Sequence, residues 1–212
     1  MNPSNDSPEP ASMAPAEDPA PTRKRPRPGE RRLQILQALA AMLEQPGGER
    51  VTTAALAQRI GVSEAALYRH FASKAQMFEA LIDFIEDTLL GLIRQIADRE
   101  DPGRPQLVRI VSLILQFAET NPGMCRVMTG DALVLEHARL QERMNRLFDK
   151  FEAQLRQSVR EAGGASPTPT VEAQVSASIL MAFVQGRLGR YVRTGFQRLP
   201  TESLSESLQR LT

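Results

Sequence analysis

Apolar residues along this chain recur at helical spacing. Leu36, Leu39, Ala40 and Leu43 share one face of a segment over about 30–44, which predicts a first helix ended by Pro46-Gly47-Gly48. A longer stripe of Phe78, Ile82, Ile85, Leu89, Leu92 and Ile96 predicts a second, extended helix. Ser73-Lys74-Ala75-Gln76 reads as the capping box that opens it, and Asp101-Pro102-Gly103 as its stop. A helix over about 105–119 follows, with Leu107, Val111 and Ile114 on one side. Beyond the turn Asn121-Pro122-Gly123, a short helix over 124–129 leads into a long one over about 131–161. There Leu140, Met144, Leu147, Phe151, Leu155 and Val159 repeat every three or four residues. Alternation of period two is scarce, and Leu, Ala, Gln, Glu and Arg dominate. The expected fold class is therefore all-α.

After a loop at Gly163-Gly164-Ala165-Ser166-Pro167, the helix expected over about 170–196 is apolar around most of its circumference. It carries a ridge of small residues, Ser178, Ala182 and Gly186, with Gly189 three further on. Small ridges let helix backbones approach closely. A helix with two apolar faces is either buried at the centre of a monomer or shared with a symmetry mate, and the second arrangement predicts a homodimer.

The densest local signal lies between the first two stripes, in TTAALAQRIGVSEAALYRHF at 52–71. Ala57 is small where one helix meets another, Gly61 suits a turn with positive φ, and Leu67 pins the following helix from its apolar side. Thr52 and Ser63 stand where N-caps belong. Two short helices held this way form a helix-turn-helix, whose second helix enters the major groove of DNA. The N-terminal side chains of that helix, over 63–70, are nearest the base edges, so Ser63, Glu64 and Ala65 are candidates for direct readout. Glu64 suits a cytosine amino group and Ala65 a thymine methyl, although Glu64 equally complements the helix dipole. Thr52, Thr53, Tyr68, His70 and Lys74 suit phosphates, and Arg69 completes the expected DNA-facing set.

Composition changes this picture only at the N-terminus. The formal net charge of the 212 residues is +1, so bulk charge announces no polyanion partner. Residues 1–29 are expected to be disordered, because 1–30 hold eight of the fifteen prolines and no Leu, Ile, Val or Phe. The basic block Arg23, Lys24, Arg25, Arg27, Arg31 and Arg32 is either a solvated linker or an arm adding phosphate and minor-groove contacts. The single cysteine, Cys125, sits among apolar residues and reads as a buried, inert thiol suited to a reducing cytosol. No secretory leader or membrane-spanning run is evident, which predicts a cytoplasmic protein with no membrane insertion. No phosphate-binding glycine loop, metal-spaced cluster or nucleophile elbow occurs. Neither an enzyme nor a cofactor or metal site is expected.

Two apolar residues lie off the main stripes. At about 100° per residue, Phe84 points roughly 120° away from Phe78 and Ile82, and Leu113 is similarly displaced. Such residues either pack against the DNA head or mark an exposed docking groove between the helix opened at Ser73 and that over about 105–119.

The layout resembles the TetR family of dimeric DNA-binding regulators, through Leu56-Ala57, Gly61-Val62-Ser63, Leu67-Tyr68-Arg69-His70-Phe71 and Ser73-Lys74. Over about 31–200 it is similar, within that family, to the nucleoid-occlusion branch. The strings that carry this are 62–71, Phe84-Ile85-Glu86-Asp87, Asn121-Pro122-Gly123, Thr129-Gly130, Arg139-Leu140-Gln141 and Glu152-Ala153-Gln154-Leu155-Arg156-Gln157. The resemblance implies a DNA-bound dimer on the nucleoid that antagonises assembly of the tubulin-like division protein FtsZ. It places the FtsZ tail at Phe84 and Leu113, with Asn121 at its end. The Pro-rich extension and Leu90-Gly91-Leu92 depart from that pattern, since a more polar, basic surface is expected at the latter. The implied organisation is an extension at 1–29, a DNA-binding head at 30–78 and a dimerisation and partner-binding body at 79–212. The alternative is a ligand-responsive TetR-type repressor, which predicts a cavity within the body.

Overall fold

The computed structural model describes residues 29–45, 50–162 and 169–212. The expected N-terminal extension apart from Gly29, the turn at Pro46-Gly47-Gly48 and the whole loop at 163–167 lie outside them. The described residues contain nine α-helices and no strand. They are α1 (Glu30–Leu43), α2 (Thr53–Ile60), α3 (Glu64–Tyr68), α4 (Lys74–Arg99), α5 (Arg104–Thr120), α6 (Pro122–Met128), α7 (Ala138–Glu161), α8 (Pro169–Arg193) and α9 (Leu204–Leu211). None of these helices is long and apolar enough to cross a membrane.

Helices α1 to α3 make the head and α5 to α9 the body, with α4 running from one into the other. Ile35, Leu39 and Leu43 of α1 meet Leu56, Ala57, Leu67 and Phe71, all buried. The same core continues through Phe78, Leu81, Ile82, Ile85, Leu89 and Ile93 of α4 into α5, α6, α7 and α8. Each such side chain, once buried, contributes about 1.5–3 kcal/mol of transfer free energy. The inner stripe of α4 runs through Ile93, not Leu92, which is exposed, and Ile96 packs half-buried beyond it. A step of four from Leu89 keeps the stripe on the body, whereas Leu92 falls on the flank.

Three further elements differ from the sequence reading. The segment after Gly130 is not yet the long helix. Gly130, at φ 77°, ends α6, a 3₁₀ turn covers Asp131–Leu133, and α7 starts only at Ala138. There the ring Nδ1 of His137 caps the helix by accepting from Arg139 N at 3.3 Å. Helix α8 stops at Arg193, short of Phe196. A ninth helix then follows, with Leu204, Leu208 and Leu211 at helical spacing on the core. That spacing was available in the sequence and marks the missed helix.

The head is fastened to the body at one joint. A Cβ on Gly123 would stand 2.1 Å from the carbonyl oxygen of Ala40, so only glycine lets α6 come this close to α1. Arg126 donates to the Leu43 carbonyl at 3.2 Å and pairs with Asp131 at 2.6 Å. Glu136, before α7, receives both Lys74 and Arg50, and Arg50 also donates to the Leu135 carbonyl at 3.2 Å.

Candidate nucleic-acid interface and partner groove

The two short helices of the head are closed by their own side chains. Thr52 Oγ1 accepts from Ala55 N at 3.1 Å and Ser63 Oγ from Ala66 N at 3.3 Å, so both residues are the N-caps their positions suggest. Gly61 takes φ 66° at the end of α2, and Val62 N returns to the Ala57 carbonyl at 3.0 Å. This closes the turn in the left-handed geometry that favours glycine. Ser73 caps α4 by accepting from Gln76 N, while the Gln76 side chain reaches back to Ala72 N at 2.9 Å, one residue earlier than a reciprocal box requires.

Leu67 and Phe71 turn α3 inward, which leaves Ser63, Glu64, Ala65, Tyr68, Arg69 and His70 exposed on its other side. Tyr68, at 46% exposure, is a large ring held out of the core. The far end of this surface is tied to α1: Arg32 donates to the His70 carbonyl at 2.9 Å and lies 4.0 Å from the Phe71 ring centroid. Thr53 is directed along the surface, its hydroxyl donating to Glu64 Oε2 at 2.7 Å. Lys74 is turned toward Glu136 and the Phe78 ring, away from the outer face. Ser63, Glu64, Ala65, Tyr68, Arg69 and His70 are therefore all exposed, Thr53 is joined to Glu64, and Lys74 stands at the joint.

The second candidate site lies along α4 and α5. Arg109 of α5 meets Glu100, the residue that caps the end of α4, at 2.9 Å, and a groove of about 610 Å³ opens between α4, α5 and α9. Leu92, Leu113, Gln116, Leu204 and Leu208 are among its walls. Leu113 is half-buried against the core, whereas Phe84 is 46% exposed. Of the two explanations for these off-stripe residues, packing on the head does not describe Phe84. It stands about 12 Å along α4 from Leu92 on the head side, at 1.5 Å per residue. Asn121 ends α5 and begins α6, donating from Nδ2 to the Phe117 carbonyl at 2.8 Å.

Two smaller cavities lie elsewhere among the described residues, one of about 320 Å³ at the head–body joint and one of about 340 Å³ beside Gly189 and Arg193. None of these three lies inside the bundle. The α8 ridge behaves as its composition suggests: Ala173, Ala177, Leu180, Met181, Val184 and Leu188 face the core. Val171, Val175, Ser178, Ile179, Ala182 and Gly186 stay exposed on the opposite side.

A helix-turn-helix head continuous with a helical body defines a TetR-type regulator, and the comparisons agree. Residues 35–81 match the family model described as bacterial regulatory proteins of the tetR family. Residues 105–212 match the SlmA-like model described as Tetracyclin repressor-like, C-terminal domain. The chain belongs to the TetR family and, within it, to the SlmA nucleoid occlusion factors. It is 52% identical over 180 residues to the nucleoid occlusion factor SlmA of Idiomarina loihiensis, covering 84% of this chain and 92% of that relative. The SlmA of Vibrio cholerae is 48% identical over 181 residues, with 83% and 91% covered. Among solved structures, a TetR transcriptional regulator from Legionella pneumophila superposes with a TM-score of 0.67 at 16% identity, covering 88% of this chain and 98% of the other. That likeness concerns the fold.

Proposed function

We propose that this chain docks on DNA as a homodimer, inserting the 63–70 segments of its two heads into major grooves about 34–36 Å apart. While bound it antagonises assembly of FtsZ over the chromosome. The observation that carries this reading is the identity to SlmA relatives, which extends through both the head and the body that holds the α4–α5 groove. On the DNA side, Ser63, Glu64 and Ala65 meet base edges. Thr52, Tyr68, Arg69 and His70 meet the backbone from around them. On the partner side, Leu113 in the groove wall, Phe84 beyond it on the head side of α4 and Asn121 at the end of α5 receive an FtsZ segment, which buries their exposed apolar surface. The exposed α8 ridge joins the two copies, and the dimer resides on the nucleoid.

The test is sedimentation of FtsZ polymer with the protein alone, with DNA alone and with both. The reading expects polymer to fall when the protein and its DNA site are present together, and Phe84→Ala to restore it. Undiminished polymer in every mixture rejects the partner assignment.

A further inference from the structure

The side chain that reaches Glu64 from α2 has a consequence for base preference. Glu64 is the first residue of α3, exposed, on a long side chain with three freely rotating torsions. A carboxylate approaching a duplex is repelled by the phosphates on both sides of the groove, so an untethered one swings back toward solvent. Here the Thr53 hydroxyl donates to Oε2 at 2.7 Å, across the angle between the first turns of α2 and α3. Thr53 is itself fixed: it follows the Thr52 cap and is half-buried at the start of α2. The other oxygen, Oε1, has no hydrogen-bond partner among the described residues. An ionised carboxylate only accepts, so the free oxygen fits a base that presents a donor in the major groove, and the cytosine amino group is that donor.

We propose that Thr53 is a positioning residue which sets the base preference of the head by holding the Glu64 carboxylate in its reading orientation. A hydroxyl has one proton, and here it is committed to Glu64 and not to a phosphate. The inference rests on Glu64 contacting a base, as assigned under the proposed function, and the experiment separates the two ideas.

The full-length protein and its Glu64→Ala, Thr53→Val and Thr53→Ser variants are each incubated with a pool of randomised duplexes, and the bound fraction is sequenced. Valine keeps the branched shape of threonine without the donor, and serine keeps the donor without the branch. Glu64→Ala is expected to erase a cytosine preference at one symmetry-related pair of positions. Thr53→Val should weaken the preference at the same positions by roughly fivefold, and Thr53→Ser should retain it. Melting temperature and affinity for non-specific duplex should be the same in Thr53→Val and Thr53→Ser as in the unsubstituted protein. If Glu64→Ala erases the preference and Thr53→Val preserves it, the positioning role is wrong while the contact stands. If Glu64→Ala changes nothing, the contact itself is wrong and the inference falls with it. A loss shared by Thr53→Val and Thr53→Ser, or a lowered melting temperature, assigns Thr53 to packing and also overturns the proposal.

Discussion

The exposed faces of α3 and α8 are built on opposite principles. On α3 the outward residues are polar, and their neighbours hold several of them in place: Ser63 on a backbone amide, Glu64 on Thr53, and the His70 carbonyl under Arg32. On α8 the outward residues include Val171, Val175, Ser178, Ile179, Ala182 and Gly186, a mostly small or apolar strip with Glu172 near its start and Gln185 at its flank. A polar surface that must leave water and return to it benefits from donors and acceptors already set in place. An apolar, low-relief surface gains by staying covered, and a second copy supplies the matching relief. The first face therefore suits a partner that is searched for and released, the second one that is kept.

The largest effect should come from spoiling the kept face. Ile179→Asp puts a charge on the ridge, and sedimentation should show single chains. Because two heads on one duplex gain from linkage by about 10²–10⁴-fold, affinity for a two-half-site duplex should fall at least about a hundredfold. A variant that remains dimeric locates the seam elsewhere.

Next in size is the joint that transmits between head and body. Gly123→Ala forces a methyl group onto the Ala40 carbonyl. Thermal or urea unfolding should show a loss of about 1–3 kcal/mol, the usual cost of overpacking. Unchanged stability means α6 slides from α1 at no cost.

On the searched face, Tyr68→Ala removes one phosphate-type hydrogen bond worth about 1 kcal/mol, so anisotropy titration should find affinity roughly fivefold weaker. Its salt dependence should hardly change, since a neutral phenol displaces no counterion.

The smallest effect concerns a residue on neither face. Burial pushes the Cys125 thiol from an ordinary 9.0 up to about 12. The folded state thus favours the neutral form. Its contribution is fully present below pH 9 and is lost as pH rises from there toward about 12. Native protein should resist a thiol reagent at pH 8 until urea unfolds it, and denaturant midpoints should decline above pH 9. Rapid native labelling contradicts this.

The head was legible in the sequence because its determinants are local. Caps at Thr52 and Ser63, the turn at Gly61 and the inward pins Leu67 and Phe71 all act within twenty residues, and each occupies the place its chemistry suggests. What escaped depends on partners far along the chain. Thr53 reads as a phosphate ligand, and only the structure shows its hydroxyl donating to Glu64, eleven residues on. Lys74 reads as a DNA contact, and its pairing with Glu136, sixty-two residues away, is invisible in the local sequence. Leu92 satisfies a stripe on paper, but the drift of the helix past Leu89 hands the inner position to Ile93. The start of α7 lies later than its expected place because Ala132, Leu133, Leu135 and Glu136 are all good helix formers, and nothing local announces that Gly130 takes a left-handed turn.

A chromosome-wide map of binding sites in growing cells tests the account most directly. A DNA-bound division inhibitor predicts many dispersed sites, mostly outside promoters and thin around the replication terminus. One or two sites confined to promoters, released by a small molecule, would contradict it and return the chain to the ordinary repressors of its family.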